Sequence, residues 1–300
     1  MSNPSSDFPH WIQQQLGRVE QALSDWVGRD APHDLGEAMR YAVLDGGKRL
    51  RPLLVLAACE ATDGLQSAAL RAACAVELIH AYSLVHDDMP CMDNDVLRRG
   101  KPTVHVAYGE ASALLAGDAL QALAFELLTP DASEEDIPSA MQATLCRLLA
   151  RAAGSHGMAG GQAIDLASVG VALTRPELQR MHALKTGALL QASVVMGAAC
   201  SNASSATHTA LQQYGAAIGL AFQVVDDILD VTADSQTLGK TAGKDAANDK
   251  PTYVSLLGLD ASRTYARQLH EEAVQALQAS GLERTDTLRA LADLVIERAF

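Results

Sequence analysis

Two clusters of aspartates hold the side chains of this chain that are best suited to chemistry. Each contributes three carboxylates, namely Asp87, Asp88 and Asp93 in the first cluster and Asp226, Asp227 and Asp230 in the second. At 3.6 residues per turn, Asp226 and Asp230 share one face of a helix, and Asp227 lies about 100° away from Asp226. Carboxylates crowded into one sector of a helix repel one another. Each cluster is therefore predicted to have a positive partner.

A hard divalent cation is the partner that suits carboxylate oxygens best. Mg²⁺ in particular is bound through a few carboxylates, waters and substrate phosphates. Two such clusters predict a metal-bridged phosphate between them. Either cluster taken alone is equally consistent with a solvated acidic surface. The apolar stretches before them, residues 78–85 and 219–225, favour a buried setting, where aspartates are rarely left unpaired.

A basic segment, Lys48-Arg49-Leu50-Arg51, comes directly before Pro52. Proline suits the first turn of a helix, so three positive charges gather at a helix start, where backbone N–H groups also point outward. This arrangement predicts an anion-binding site. The alternative is a basic cap that pairs with nearby acidic side chains.

A second basic group, Arg98-Arg99-Gly100-Lys101, follows the first acidic cluster. Guanidinium groups bind phosphate oxygens in a bidentate manner, and this predicts a phosphate contact close to the metal site. Pairing of these arginines with Asp93 or Asp95 is the alternative interpretation.

A long helix is predicted to begin at Ser67 and to carry Asp87 at its end. His80 lies seven residues before Asp87 and therefore on nearly the same face. A histidine on an apolar helix is more often a satisfied core residue, but the acidic cluster beside it favours a role next to the ligand. Pro90 must disturb the helix, so Asp93 is expected to come from a bent or looped segment.

The composition argues against several classes of protein. The formal net charge is −13, from 23 basic and 36 acidic residues, and the sequence pI is about 5.0. Such a surface argues against a nucleic-acid or anionic-membrane partner. Aromatic residues make up only 4% of the chain and hydrophobic residues 48%, which favours packed helices over sheets. Five scattered cysteines without a CxxC pair are typical of a reduced, cytoplasmic setting.

The organisation of the chain predicts one domain over residues 1–300. Residues 1–10 are polar and are expected to be frayed, with a first helix from Trp11 towards Trp26. They lack the features of a signal peptide, and no uncharged apolar run is long enough to span a membrane. We therefore expect an unexported protein without a membrane span.

Two later segments carry further candidate residues. A capping box, Thr174-Arg175-Pro176-Glu177, predicts a helix with Lys185-Thr186-Gly187 in its middle. Helical periodicity then fails over residues 231–251, which contain Lys240 and Lys250. A long loop with glycines and lysines beside an acidic metal site predicts a lid, although a solvated loop is the alternative.

Six motifs, in this order, resemble those of the bacterial short-chain trans-prenyl diphosphate synthases, most closely the farnesyl diphosphate synthases (geranyltranstransferases). They are Gly46-Gly47-Lys48-Arg49-Leu50-Arg51-Pro52, Asp87-Asp88-x4-Asp93 with Arg98-Arg99-Gly100, Gly157-Met158 with Gly161-Gln162 and Asp165-Leu166, Lys185-Thr186-Gly187, Phe222-Gln223 with Asp226-Asp227-x2-Asp230, and Gly239-Lys240 through Lys250. The resemblance covers nearly the whole chain. The C-terminus departs from it, because family members commonly end in Arg-Asn/Asp-Lys or similar and this chain ends in Arg298-Ala299-Phe300.

The resemblance implies an all-α, single-domain helical bundle of the isoprenoid synthase type around a deep central cavity, usually as a homodimer. The implied reaction is head-to-tail condensation of isopentenyl diphosphate with dimethylallyl and geranyl diphosphate to give farnesyl diphosphate. The implied cofactor is Mg²⁺, with three ions per active site held by the aspartates of both clusters, and Mn²⁺ is the alternative metal.

The resemblance also implies roles for individual residues. Isopentenyl diphosphate would be bound by Gly47, Lys48, Arg51, His80 and Arg99. The allylic diphosphate would be bound, and its departure assisted, by Arg98, Lys185, Lys240 and Lys250. The cation left behind would be stabilised by oxygens of Lys185, Thr186 and Gln223. Product length would be limited by Tyr82, beside Ser83, since a bulky residue five positions before the first Asp has this effect in the family.

Other interpretations stay open. A geranyl or geranylgeranyl diphosphate synthase would differ only in product length. A class I terpene cyclase shares the ionisation and the helical fold, but it lacks the second diphosphate site formed here by Lys48, Arg51 and Arg99. A non-catalytic partner subunit would keep the fold without turnover, against which both intact acidic clusters argue. A di-iron bundle would need Glu-x-x-His pairs on facing helices, which this chain does not show.

Overall fold

The structure, a computed structural model, describes residues 4–44, 46–171, 173–232 and 251–297. The first half of the chain forms α1 (Pro4–Trp26), α2 (Leu35–Val43), α3 (Leu50–Ala61), α4 (Gln66–Asp87), α5 (Val104–Tyr108), α6 (Glu110–Leu127) and α7 (Ser139–Ala153). The second half forms α8 (Met158–Ala167), α9 (Arg175–His182), a π-helical turn (Ala183–Gly187), α10 (Ala188–Ala199), α11 (Ser205–Thr232), α12 (Tyr253–Leu257), α13 (Leu259–Ala279) and α14 (Asp286–Glu297). The prediction of an all-α fold is confirmed.

The strands of the described residues form one short hairpin, in which β1 (Leu97–Arg98) pairs antiparallel with β2 (Lys101–Pro102). Its two turn residues, Arg99 and Gly100, have φ angles of 52° and 77°. Positive φ at both central positions is typical of a type I′ turn, whose twist matches that of the paired strands. The hairpin therefore presents Arg99 at its tip, directly after Arg98 on the strand.

Helices α3 and α10 lie at the centre of the bundle, because each contributes to both hydrophobic clusters of the core. On α3, Leu56 packs in the cluster shared with α4, α6 and α7, whereas Leu54 packs in the cluster shared with α11, α13 and α14. A helix buried in this way has to be apolar on all sides. Gly197 lets α10 touch α3, since a Cβ there would lie 2.2 Å from the carbonyl oxygen of Val55.

Helix α4 is the core helix that ends at the first acidic cluster. Within the described ranges it alone is long and apolar enough to cross a membrane, yet 78% of its most apolar window is buried inside the protein. It is therefore an interior helix of the bundle. Its regular geometry holds His80, Tyr82 and Ser83 in a fixed relation to Asp87 in its last turn.

The N-terminal helix begins earlier than predicted. Helix α1 starts at Pro4, so the expectation that residues 1–10 are frayed is wrong for residues 4–10. The ring of Phe8 stacks on that of Trp11 with centroids 6.2 Å apart, and both rings pack against the core. The indole N–H of Trp11 also donates to Glu60 Oε2 on α3 at 2.8 Å. These contacts anchor a segment whose polar composition alone indicated disorder.

The helix predicted from the capping box is present but is not continuous. The box is confirmed, with the backbone N–H of Thr174 donating to Glu177 Oε2 at 2.8 Å. Helix α9 ends at His182, and the chain then passes through the π-helical turn into α10. Lys185 and Thr186 therefore lie in a locally widened turn, a feature that occurs often at functional sites.

Candidate active site

The first acidic cluster forms where α4 ends and the chain folds back on its last turn. The backbone N–H of Asp93 donates to the carbonyl oxygen of Asp87 over 2.9 Å, and that of Asp95 donates to Asp88 over 3.1 Å. Pro90 follows the end of the helix, as predicted from its inability to supply a backbone N–H. The looped segment therefore brings Asp93 next to Asp87.

Burial and crowding both act on the carboxyl group of Asp87. Burial is the largest cause of a rise of its pKa to about 6, which the charge of Lys185 opposes and the charge of Asp93 reinforces. A carboxylate in this situation gains from additional positive charge. Asp87 and Asp93 are therefore suited to share a divalent cation.

Asp88 has a different environment from Asp87. It is 3% exposed, and its two carboxylate oxygens accept hydrogen bonds from the guanidinium group of Arg98 at 2.8 and 2.5 Å. A bidentate pair fixes the orientation of both partners. The alternative interpretation of Arg98, pairing with an acidic neighbour, is thus realised, and the partner is one that the spacing had not indicated.

The second cluster shows unequal exposure along α11. Asp227 and Asp230 are buried, at 2% and 4% exposure, whereas Asp226 is half-buried. Asp227 Oδ1 accepts a hydrogen bond from Gln223 Nε2, and Oδ2 accepts one from the backbone N–H of Tyr253, each at 2.8 Å. Asp226 is therefore the most accessible carboxylate of this cluster.

The π-helical turn supplies two polar side chains to the same region. The ammonium group of Lys185 donates to Asp165 Oδ2 on α8 at 2.6 Å. The hydroxyl of Thr186 donates to Gln223 Oε1 on α11 at 3.0 Å. The turn thereby connects α8 on one side with the helix of the second acidic cluster on the other.

Two glycines permit these short contacts. A Cβ on Gly161 of α8 would lie 2.1 Å from the backbone nitrogen of Lys185, and a Cβ on Gly219 of α11 would lie 2.8 Å from the Cα of Gly187. Any larger residue would push the helices away from the turn. The absence of a side chain at Gly161 and Gly219 therefore sets how closely α8 and α11 approach the turn.

A cavity of about 70 Å³ lies between the π-helical turn and α11, and it is lined by Lys185, Gln223, Asp227 and His182 among others. Lys185 also acts on the first cluster, since its charge lowers the pKa of Asp87. Burial lowers the pKa of His182 to about 4, so its imidazole is neutral at physiological pH. Lys185 therefore lines the cavity together with Asp227 of the second cluster and acts through its charge on Asp87 of the first.

The two basic groups predicted from the sequence lie together. Arg99 Nη1 donates to the carbonyl oxygen of Gly46 at 2.5 Å. A Cβ on Gly47 would lie 2.9 Å from that same Nη1 atom, and the φ of 135° at Gly47 also favours glycine. The glycine pair between α2 and α3 is therefore shaped to receive the guanidinium group of Arg99.

Arg51 and His80 complete this basic group. Arg51 Nε is buried and has no hydrogen-bond partner among the described residues, which marks a donor that lacks an acceptor. Burial lowers the pKa of Arg51, while the charges of Glu77 and Asp226 raise it. Burial, and then the charges of Arg51 and Arg99, lower the pKa of His80 well below its usual value. The group therefore presents a neutral imidazole among guanidinium ions, a setting that attracts an anion.

Arg49 does not belong to the anion site that its position in the basic segment predicted. It is 5% exposed and donates to Glu20 Oε1 and Glu77 Oε1, both at 2.7 Å, and to the carbonyl oxygen of Val43 at 2.6 Å. Its φ of 45° turns the chain, so that this side chain enters the core between Lys48 and Arg51. For Arg49 the alternative interpretation, pairing with nearby acids, is the one realised.

We expect Arg49→Ala to lower the free energy of unfolding by about 3–5 kcal/mol, because it leaves the buried carboxylate of Glu77 without its partner. Urea denaturation followed by circular dichroism measures this. Lys48→Ala is the matched control, since the neighbouring Lys48 is exposed and its loss is expected to change stability by less than about 0.5 kcal/mol. Equal stability of the two variants would contradict the assignment.

The residues predicted to limit product length lie on α4 as expected. Tyr82 is half-buried, with its ring 5.7 Å from that of His86 in an edge-to-face arrangement. Gln121 on α6 is a hydrogen-bond partner of its hydroxyl. The hydroxyl of Ser83 donates to the carbonyl oxygen of His80 at 2.8 Å.

Several predicted features fall on residues that the structure does not describe. They are Lys240, Lys250, most of the predicted lid over residues 231–251, and the C-terminal Arg298-Ala299-Phe300. At the edges of the predicted lid, α11 extends to Thr232, and Pro251 lies outside regular structure.

Sequence reasoning overlooked three residues of this site as functional candidates. Asp165 holds Lys185, His182 lines the cavity, and the backbone of Tyr253 binds Asp227. Asp165 could have been identified from the sequence, because it is part of the motif that also contains Gly157 and Gly161. His182 and Tyr253 carry no comparable signal, since their places depend on how distant helices pack.

The donor set fits a divalent cation. Asp87, Asp93 and Asp226 are hard oxygen donors, and the raised pKa of Asp87 shows that negative charge there lacks compensation. Among the described residues no group of three or more His, Cys, Asp or Glu side chains is arranged around one point to hold an ion.

Comparison with known proteins identifies the family. The family model described as "Polyprenyl synthetase" matches residues 32–290. "Geranylgeranyl pyrophosphate synthase, chloroplastic" from Catharanthus roseus is 47% identical over 298 residues, which cover 99% of this chain and 83% of that protein. "Probable farnesyl diphosphate synthase" from Sinorhizobium fredii is 50% identical over 277 residues, which cover 90% of this chain and 82% of that protein.

A solved structure supports the same assignment. Geranyltransferase from Helicobacter pylori, complexed with magnesium and isoprenyl diphosphate, superimposes with a TM-score of 0.86. It is 36% identical to this chain, with 99% of each chain covered. The motifs, the fold and these similarities agree, and the chain belongs to the polyprenyl synthetase family of prenyltransferases.

Proposed function

We propose that this protein condenses isopentenyl diphosphate head-to-tail with dimethylallyl diphosphate, and then with geranyl diphosphate, to give farnesyl diphosphate. The observation that carries this proposal is the basic group of Arg51, His80 and Arg99 beside two acidic clusters. The acidic clusters suit one diphosphate bridged by metal, and the buried Arg51 Nε without an acceptor suits a second diphosphate. A terpene cyclase needs only the first of these sites.

The allylic substrate would be held at the acidic clusters. The six predicted ligands are Asp87, Asp88, Asp93, Asp226, Asp227 and Asp230. We propose Asp87, Asp93 and Asp226 as the direct ligands, because they are half-buried, whereas Asp88, Asp227 and Asp230 are at most 4% exposed. Mg²⁺, with three ions expected and Mn²⁺ as the alternative, would neutralise the diphosphate and make it a better leaving group. Arg98 and Lys185 would stabilise the charge that develops on that group, and the same role is proposed for Lys240 and Lys250.

Departure of the diphosphate leaves an allylic carbocation, which water would destroy. Lys185 and Gln223 line the cavity, and the hydroxyl of Thr186 is hydrogen-bonded to Gln223 Oε1. We propose that oxygens of these three residues face the allylic cation. Such oxygens stabilise positive charge without acting as nucleophiles. We propose that residues 231–251 close over this space and exclude water, as the sequence predicts.

The second substrate would be bound by Gly47, Lys48, Arg51, His80 and Arg99. Its double bond attacks the allylic cation and forms the new carbon–carbon bond, and the resulting tertiary cation loses a proton to give a new double bond. The departing diphosphate is the base that can take this proton. Because its pKa lies well below the usual value, His80 is neutral in the free protein. Its ring N–H would therefore donate a hydrogen bond to a diphosphate oxygen, and the ring would not take up the proton.

The proposed length of the product rests on Tyr82. Tyr82, one and a half turns before Asp87, favours the C15 product. The geranylgeranyl alternative is supported by relatives with that name that match 97–99% of this chain, among them the protein from Catharanthus roseus. A non-catalytic partner subunit is the less favoured alternative, because the acidic clusters and the basic group are all present.

We further propose that residues 1–300 form one domain that acts as a cytoplasmic homodimer. Helix α6 supports the dimer, because it exposes two consecutive leucines, Leu114 and Leu115, at 46% and 56% exposure. Exposed apolar side chains that are grouped in this way favour a protein–protein contact. The contribution of α3 and α10 to both core clusters supports the single domain.

Product analysis tests the proposed function directly. Radiolabelled isopentenyl diphosphate is incubated with dimethylallyl or geranyl diphosphate and Mg²⁺, and the dephosphorylated alcohols are separated by chromatography. The proposal expects labelled farnesol from both starters. Absence of any condensed product would overturn it, and cyclic hydrocarbon from geranyl diphosphate alone would establish the terpene cyclase instead.

Arg51→Ala is expected to raise the KM for isopentenyl diphosphate by about 10- to 100-fold and to change the KM for geranyl diphosphate little, because one charge-assisted bidentate contact is lost at one site. Arg98→Ala is the control that should act on the allylic side, where its partner Asp88 lies. Initial rates with each substrate varied in turn measure both. A similar rise for both substrates in Arg51→Ala would refute the division of sites.

A further inference from the structure

Asp227 closes a chain of hydrogen bonds that runs from the π-helical turn to α12. The hydroxyl of Thr186 donates to Gln223 Oε1 at 3.0 Å, Gln223 Nε2 donates to Asp227 Oδ1, and the backbone N–H of Tyr253 donates to Asp227 Oδ2. We propose that Asp227 is a positioning residue that sets which end of the Gln223 amide faces Thr186 and the substrate space. This inference rests on the proposed function, since it concerns how Gln223 meets the allylic cation.

The donor and acceptor of each hydrogen bond in this chain are determined by its last member, the backbone N–H of Tyr253. A backbone N–H can only donate, so Asp227 Oδ2 has to accept from Tyr253. An ionised carboxylate has no hydrogen to offer, so Oδ1 has to accept as well, and Gln223 must turn its NH₂ group towards it. Asp227 is 2% exposed, so both hydrogen bonds are shielded from bulk solvent.

The consequence reaches the cavity through Gln223. With its NH₂ group held by Asp227, the amide oxygen points towards Thr186. The hydroxyl of Thr186 then donates its hydrogen to that oxygen. In the proposal, the lone pairs of the hydroxyl oxygen are directed at the substrate. Two oxygen atoms at this position stabilise a developing cation, whereas N–H or O–H hydrogens there would oppose it.

Replacement of Asp227 by asparagine is expected to keep every hydrogen bond of this chain but to exchange donor and acceptor in the bonds that Gln223 makes. The backbone N–H of Tyr253 still needs an acceptor, so the introduced amide has to present its oxygen there and its NH₂ group to Gln223. Gln223 then turns its oxygen towards the introduced amide and its NH₂ group towards Thr186. The substitution is nearly isosteric, yet it places hydrogens where the wild type places oxygens.

A double-mutant cycle tests this reversal. We expect Asp227→Asn to lower kcat by about 10²-fold or more, at least as much as Gln223→Leu, because a reversed dipole is worse than an absent one. In the Gln223→Leu background, Asp227→Asn is expected to have little further effect, since no amide remains to be reversed. The KM for geranyl diphosphate should stay within about threefold of the wild type. Equal effects of Asp227→Asn in both backgrounds would overturn the proposal.

Asp226→Asn is the matched control, because it removes the neighbouring carboxylate that is proposed to hold metal. It is expected to lower kcat equally in the wild-type and Gln223→Leu backgrounds and to raise the Mg²⁺ concentration needed for half-maximal rate. Asp227→Asn should leave that concentration unchanged. A shift in the Mg²⁺ requirement of Asp227→Asn as large as that of Asp226→Asn would assign Asp227 to the metal instead.

Binding measurements separate this inference from the proposed function. Calorimetry with an ammonium analogue of the allylic cation, in the presence of pyrophosphate and Mg²⁺, should show weaker binding to Asp227→Asn than to the wild type. An unreactive allylic thiolodiphosphate, which carries no cation, should bind both equally. Equal losses for both analogues would refute the positioning role, whereas a wild type that forms no condensed product would refute the proposed function.

Neutron diffraction of the wild-type protein tests the polarity without any variant. The expected result is deuterium on Gln223 Nε2 directed at Asp227 Oδ1 and deuterium on Thr186 Oγ1 directed at Gln223 Oε1. Deuterium on Gln223 Nε2 directed at Thr186 would overturn the proposal even if every substituted protein failed to fold.

Discussion

Replacing either Asp87 or Asp226 by alanine is expected to lower kcat by at least ~10²- to 10³-fold, the usual cost of removing one preorganised stabiliser of developing charge. The two residues lie on different helices, at the end of α4 and on α11, and each is close enough to a basic side chain to feel its charge, Asp87 to Lys185 and Asp226 to Arg51. If the departing diphosphate is held between these two aspartates through bound metal, the loss of either one is enough to slow ionisation of the allylic substrate.

Steady-state rates with saturating isopentenyl and geranyl diphosphate measure this effect. Asp260→Ala is the control, because Asp260 is an exposed aspartate in the first turn of α13 and should matter little to rate. Circular dichroism establishes that each variant is folded. Near-normal turnover of Asp87→Ala or Asp226→Ala, or of the wild type in excess EDTA, would rule out the proposed ionisation.

Both acidic clusters could be predicted because their signals are local. The spacing of Asp226 and Asp230 depends only on helical geometry, and Pro90 ends a helix wherever it follows one. The capping box at Thr174 is likewise decided by neighbouring residues. The composition also favoured packed helices, and the all-α class was implied by the resemblance of the six motifs to a known family.

The partners of these residues could not be predicted, because they come from distant parts of the chain. The sequence predicted that Arg49 belongs to an anion site. Its guanidinium group instead forms ion pairs with Glu20 and Glu77, which lie on two other helices. Arg98 similarly binds Asp88 through two nitrogens of its guanidinium group, Nε and Nη2. Sequence spacing gives the presence of a charge and does not say which of several acidic residues lies across from it.

The π-helical turn is also beyond local reasoning. Gly187 is a weak helix former, but helix propensity does not predict a π-helical turn. The turn lies where Gly161 and Gly219 allow two other helices to touch it. The early start of α1 has the same origin, because Phe8 and Trp11 gain order from the core and not from helix propensity. Both features concern the site or its support, where tertiary contacts outweigh local preference.

The length of the product is expected to depend on the volume occupied by Tyr82. This residue lies about 7.5 Å before Asp87 along α4, in the direction in which a chain anchored at the metals would grow. Its ring packs edge-to-face on His86, and its hydroxyl binds Gln121 of α6, so the side chain is held in place from two sides. A ring fixed in this way can act as a stop for a growing apolar chain.

We therefore expect Tyr82→Ala to shift most of the product from C15 to C20 and longer, because it opens apolar volume below the metal site. Tyr82→Phe is the matched control, since it removes the hydrogen bond to Gln121 but keeps the ring, and it should still make mainly C15. Mass analysis of the dephosphorylated alcohols measures both. An active Tyr82→Ala enzyme that still stops at C15 would show that another side chain closes the cavity, and a wild type that makes mainly C20 would place this protein with its geranylgeranyl relatives.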